Sequence, residues 1–287
     1  MTQQRMDRAV SPDGTEIAYW TSGTGPPLVL VPGGATDHRH WDRLRPHLEP
    51  HVTLYAMDPR GRGSSGDGPE YAIEREYEDV AVVIDTAAEQ SASPVAVYGH
   101  SHGGACAYGA ARVTSNLGAL LLYEGWPPPN PEAFDWSPEQ LEQLDTAVAA
   151  GQPEVLEALT GELISGLVDD FVASLGATEE QVEEIRGWYE SLRPTMRVHT
   201  VPRILREWSS VDSNPLAFDP GQAAGIKVPT LLQADPAVPS WSSDVKTVAD
   251  ALPDARVSWL DEQYHHANVL SPQMVAEDVL TFLHEHR

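Results

Sequence analysis

Two kinds of apolar pattern alternate along this chain. Short continuous apolar runs bounded by Pro and Gly read as strands buried on both faces. Leu28-Val29-Leu30-Val31 is the clearest, introduced by Pro26-Pro27 and ended by Pro32-Gly33-Gly34. His51 to Ala56, Pro94 to Tyr98, Ala119 to Tyr123, Pro229 to Leu232 and Ala255 to Leu260 follow the same form. Thr15 to Trp20 alternates, and the first 35 residues read as strands. Between these runs the spacing turns helical. Ile73 to Gln90 carries Val80, Val83 and Ile84, Ala105 to Val113 is a small-residue helix, and Ser243 to Leu252 and Pro272 to His284 complete the set. Strands alternating with helices predict an α/β fold, a mostly parallel sheet with helices on both faces.

After Trp126 the pattern changes. A triple proline, Pro127-Pro128-Pro129, opens a stretch with no legible strand as far as Gln222. It holds Glu-rich amphipathic helices at Pro138 to Ala150, Pro153 to Leu167 and Thr178 to Leu192. The expected organisation is an α/β core, residues 1–126 and 223–287, with a helical cap, residues 127–222, inserted after the sixth strand.

The chemistry concentrates at Gly99-His100-Ser101-His102-Gly103-Gly104, between a buried strand and a small-residue helix. Gly-x-Ser-x-Gly in that setting is a nucleophile elbow. The sharp strand-to-helix turn exposes the serine, and glycines two positions away avoid clashes with the neighbouring backbone. Three further stretches have the right character: Val31-Pro32-Gly33-Gly34, Asp58-x-Arg60-Gly61-x-Gly63-x-Ser65, and Leu260-x-x-Gln263-x-His265-x-Ala267 before Pro272. Together these motifs resemble the α/β-hydrolase fold family, over the core but not the cap. Pro32 replaces the usual histidine of the first site. That change, with an acid at the end of the sixth strand, is similar to zearalenone-type lactonases.

The resemblance implies a Ser–acid–His triad. Ser101 is the nucleophile, and a serine needs a base to act. His265 stands where the family places its histidine; His266 is the neighbouring rival. The acid has two candidates. Glu124 ends the sixth strand and keeps the order Ser, acid, His. Asp235 follows the seventh strand but sits two or three residues before the usual acid position. Glu124 is preferred, with Asp235 the alternative. The oxyanion donors are expected from the backbone N–H groups of His102 and Gly34. No histidine pair shows a zinc spacing with a carboxylate partner, so no metal and no other cofactor is expected. Trp126, Trp136, Met196 and Trp241 are candidates to line the substrate pocket.

Composition narrows the partners. The 287 residues hold 43 acidic against 18 basic side chains, a formal net charge of −25. Such a chain cannot neutralise a phosphate backbone, and it repels an anionic membrane. A neutral small molecule is the expected substrate, with no nucleic-acid or membrane partner; homo-oligomer formation stays open. One cysteine, Cys106, excludes an intrachain disulfide and reads as a packed helix residue. The polar start, Met1 to Val10, shows no secretory signal, so a cytoplasmic location is expected. The functional expectation is a serine hydrolase cleaving a carboxylic ester or lactone through an acyl-enzyme. The alternatives are a thioester, amide or C–C bond with the same triad, or a ligand-binding protein with little turnover.

Overall fold

Eight strands form one sheet: β1 (Arg5–Val10), β2 (Glu16–Gly23), β3 (Pro27–Val31), β4 (Thr53–Met57), β5 (Val95–His100), β6 (Leu117–Tyr123), β7 (Thr230–Ala234) and β8 (Ala255–Trp259). They are seen in a computed structural model that describes residues 4–68, 70–127, 138–209 and 217–286. The spatial order is β1-β2-β4-β3-β5-β6-β7-β8. β2 pairs antiparallel with β1 and β4, and every other neighbouring pair is parallel.

The continuous apolar runs are explained by burial on both faces. Val29, Val31, Val97, Leu122 and Leu232 point to one side, where they pack with Val80, Val83 and Ile84 of α1 (Ile73–Ser91). Leu28, Leu30, Tyr98, Leu121 and Leu231 point to the other. A late helix, Pro272–Glu285, covers that face with Val275, Val279 and Phe282. Each such apolar side chain stabilises the fold by about 1.5–3 kcal/mol on burial, which is why strands this short hold. A second core helix, α2 (His102–Ala110), starts immediately after β5 and is buried along its whole length.

Between β6 and β7 the described residues are helical, as the sequence pattern predicts. They form α3 (Pro138–Ala150), α4 (Pro153–Ser165), α5 (Glu179–Leu192) and α6 (Val201–Ser209). α5 begins with a capping box, in which Thr178 and Gln181 satisfy each other's backbone amides. One departure is local. After Ser165 the chain continues as a π-helix over Gly166–Val172, where the spacing predicts that the α-helix runs on to Leu167. This wider turn carries Leu167 to the cavity described below, and it brings the Phe171 ring edge-on to that of His265. Ile185, Trp188 and Leu192 of α5 pack with Ile164, Val168 and Val172, and with Tyr264 and Val269 of the core. Glu179, Glu180, Glu183 and Glu184 lie on the exposed side, the solvated face that their charge requires. Among the described residues, no helix is long and apolar enough to cross a membrane.

Candidate active site

Parallel pairing aligns the strand ends. Val31 of β3 lies opposite Gly99 of β5, His100 opposite Tyr123 of β6, and Tyr123 opposite Gln233 of β7. The residues just beyond those ends are Gly33-Gly34, Ser101, Glu124 and Asp235. One sheet edge therefore collects four of the segments marked as candidates from sequence, at the position where open α/β sheets bind ligands.

Ser101 sits at the head of α2 with φ 54° and ψ −129°, a strained conformation for a residue with a Cβ. The flanking glycines let the turn close. A Cβ on Gly99 would lie 2.5 Å from the Gly103 carbonyl oxygen, and one on Gly103 would lie 2.3 Å from that of Pro32. The loop after β3 is equally close: a Cβ on Gly33 would meet the Ser101 Cβ at 3.4 Å.

His265 and Glu124 come together. Glu124 is fully buried, and its Oε2 lies 2.5 Å from His265 Nδ1. Its Oε1 accepts from the Asp235 backbone amide at 2.6 Å. Burial pushes the Glu124 carboxyl upward, opposed by that amide. Burial also pushes the His265 imidazole down to about 4, opposed by the charge of Asp235. A neutral imidazole at pH 7 is what a general base requires. The Trp241 ring lies parallel to that of His265, with centroids 6.1 Å apart.

Asp235 is also buried, but it faces backbone. Its Oδ2 accepts from the amides of Gln263 and Tyr264, each at 2.6 Å, and its Oδ1 accepts from Ala237 at 2.8 Å. The amides of Gln263 and Tyr264 belong to the loop that carries His265. Glu262, Tyr264 and His265 all have positive φ there, and such a loop needs fixed bonds to persist. His266 is turned away, with Nδ1 against the Tyr264 carbonyl at 2.8 Å and Nε2 against the Tyr189 hydroxyl at 3.1 Å.

A cavity of about 230 Å³ opens above Ser101. Gly34, His102, Ser101 and His265 line it, together with apolar side chains from the helical segment, among them Leu163, Leu167, Ile204 and Leu205. Of the pocket candidates, Met196 and Trp241 line it. Trp126 does not belong to this lining: it is fully buried and meets Trp241 edge-on. The strand-end position suggested the pocket, but the chain turns Trp126 into the layer behind Trp241. Trp136 lies outside the described residues.

The histidines flanking Ser101 diverge, as alternation across the elbow requires. The His102 ring is buried against Glu76 Oε1 at 3.3 Å and Cys106 Sγ at 3.5 Å. Glu76 is already gripped by both Nη atoms of Arg62, each at 2.8 Å, and by the Tyr71 hydroxyl at 2.7 Å. Glu76, His102 and Cys106 have the spacing of a metal site, but the guanidinium occupies the carboxylate. The Asp58 motif is a fold clasp: Asp58 accepts from the amides of His38 and Ser64, each at 2.9 Å, while Arg60 pairs with Asp79 and Asp13. His40, which the sequence offers only as one of the histidine pair His38 and His40 without a zinc spacing, reaches the cavity wall. Its only signal was its place after the Gly33-Gly34 loop.

Comparison with known proteins defines the class. The alpha/beta hydrolase family model matches residues 28–278, and the chain belongs to that family. It is 37% identical over 176 residues to a lipase, LipV, of Mycobacterium tuberculosis, covering 60% of this chain and 54% of the lipase, so about half of that relative's length is matched. It is 26% identical over 282 residues to a putative carbamate hydrolase, RutD, of Azorhizobium caulinodans, covering 94% and 96% of the two chains. An alpha/beta hydrolase structure from Sphaerobacter thermophilus superposes with a TM-score of 0.72 at 26% identity, over 96% of this chain and 100% of that one.

Proposed function

We propose that the chain is a serine hydrolase that cleaves a carboxylic ester or lactone of a neutral, fairly apolar substrate. The observation that carries this reading is the 2.5 Å contact of Glu124 with His265, whose ring shares a cavity with the strained Ser101. His265 removes the proton from Ser101 Oγ as that oxygen attacks the carbonyl carbon. The proton enters at Nε2, because Nδ1 faces Glu124. The imidazolium that forms is compensated by a carboxylate held away from water, where the charge interaction is strong. The amides of Gly34 and His102 hold the oxyanion. His265 then protonates the leaving alcohol, and water, deprotonated by the same imidazole, releases the acyl group from Ser101.

The size and lining of the cavity support the substrate class. At about 230 Å³ it lies below the usual range for drug-sized ligands, roughly 300–1,000 Å³, so a compact acyl group is expected. The likeness to a lipase favours an oxygen ester; the likeness to a carbamate hydrolase makes carbamates a useful comparison. Ser101→Ala tests the mechanism against a panel of esters and lactones of graded acyl size. Turnover is expected to fall by about 10⁴-fold or more. Retention of most activity on every substrate cleaved by the native protein overturns the reading.

A further inference from the structure

Along one wall of the cavity a hydrogen-bonded chain joins the loop after β3 to the loop that carries His265. Thr36 Oγ1 lies 2.5 Å from the Gly33 carbonyl oxygen and 3.0 Å from His40 Nδ1. His40 Nε2 lies 3.0 Å from His100 Nδ1, and His100 Nε2 lies 3.0 Å from the His265 carbonyl oxygen. All three linking side chains are buried. The ends of the chain are the segment that carries Gly34 and the backbone of the imidazole assigned as base.

The order of protons follows from what each atom can do. Burial, reinforced by the neighbouring imidazoles, holds both rings well below the ordinary imidazole range, so both are neutral at pH 7. A carbonyl only accepts, so His100 carries its proton on Nε2. Its Nδ1 is then an acceptor, and His40 must present Nε2–H to it. His40 Nδ1 is left to accept from the Thr36 hydroxyl. That hydroxyl has one proton for two acceptors and shares it between the Gly33 carbonyl, which the Thr36 amide also serves at 3.1 Å, and His40 Nδ1. Other groups close the rings in: Trp41 and Trp188 meet His40 edge-on, Tyr123 stacks on His100, and Asn268 Nδ2 lies 3.4 Å from both the His40 carbonyl oxygen and His40 Nε2.

We propose that Thr36, His40 and His100 are positioning residues, a neutral relay with both imidazoles protonated at Nε2 that fixes the oxyanion loop relative to the His265 backbone. This rests on the roles assigned above to Ser101, His265 and the Gly34 loop. The two segments approach the same reacting atoms from different strands, and small errors in such spacing cost large factors in rate. His265 sits at φ 68°, so its position depends on the bonds made to its loop. An imidazole suits the link because it offers a donor and an acceptor on opposite sides of one rigid ring. An apolar residue at position 40 strands His100 Nδ1 without a partner and leaves the Thr36 hydroxyl only the Gly33 carbonyl.

Nitrogen NMR of protein carrying ¹⁵N-histidine tests the proton order directly. Neutral Nε2–H tautomers are expected for both His40 and His100 at pH 7, and an Nδ1–H tautomer at either ring overturns the relay. His40→Leu and His40→Gln test its role. Glutamine keeps a donor and an acceptor; leucine keeps neither. In folded His40→Leu, kcat and the rate of Ser101 labelling by a fluorophosphonate are expected to fall about tenfold or more, with KM within about twofold. His40→Gln is expected to recover most of that loss. Wild-type labelling in His40→Leu, or equal loss in both variants, overturns the proposal. If His40→Leu does not fold, the glutamine variant and the tautomers still decide. A native protein that never reacts with the fluorophosphonate overturns the reading of Ser101 instead and leaves the tautomer result standing.

Discussion

β6 and β7 pair in parallel, and each is followed at once by a buried carboxylate. Glu124 directs one oxygen to an imidazole and the other to a backbone amide. Asp235 directs its oxygens to three backbone amides. The same charge in the same layer thus meets two kinds of partner. An acid bonded to amides holds a loop in shape, and its partners do not change charge near neutral pH. An acid bonded to an imidazole faces a group whose charge changes during a reaction. The two are also linked, since the Asp235 amide supports Glu124 while the Asp235 carboxylate supports the loop of its partner.

Glu124→Gln is the sharpest way to break this contrast, with the largest expected effect. The substitution keeps the shape but removes the charge that fixes the imidazole tautomer. kcat on the best ester is expected to fall by about 10³–10⁴-fold, with KM and the melting temperature little changed. A loss below tenfold would mean that Glu124 is not the acid.

Asp235→Asn should behave the other way round. An asparagine amide cannot accept where its NH₂ now points, so at least one of the amides of Ala237, Gln263 and Tyr264 loses its partner. The expected stability cost is about 1–3 kcal/mol, read from the denaturant midpoint. kcat should fall less than in Glu124→Gln, because the damage reaches the chemistry only through the loop. Larger catalytic loss in Asp235→Asn than in Glu124→Gln reverses the assignment of the two acids.

The contrast also marks how far the sequence was legible. Strand ends are local, so the elbow, the Gly33-Gly34 loop and both acids could be picked out from runs of apolar residues and the glycines beside them. The choice between the acids rested on order and spacing, because which one meets His265 depends on a loop with three residues at positive φ. Nothing in the letters Glu262 to His265 announces that loop. Trp126 and Trp241 read alike for the same reason, yet one lines the cavity and the other stands behind it. His40 was invisible as a linker because its partners come from β5 and from the His265 loop, far along the chain.

The smallest expected effect bears on the same pair through charge alone. Activity requires neutral His265, so it falls as pH drops through the pKa of that ring. Burial lowers this value, so the acid limb of kcat/KM should lie below the ordinary imidazole value of about 6.5. The charge of Asp235 raises the pKa of His265. Removing it in Asp235→Asn therefore favours the neutral ring and moves the acid limb to lower pH. Rapid assays across the acid range, with folding checked at each pH, measure the displacement. A limb that moves upward in Asp235→Asn would show that the lost loop contacts, rather than the lost charge, govern how Asp235 reaches His265.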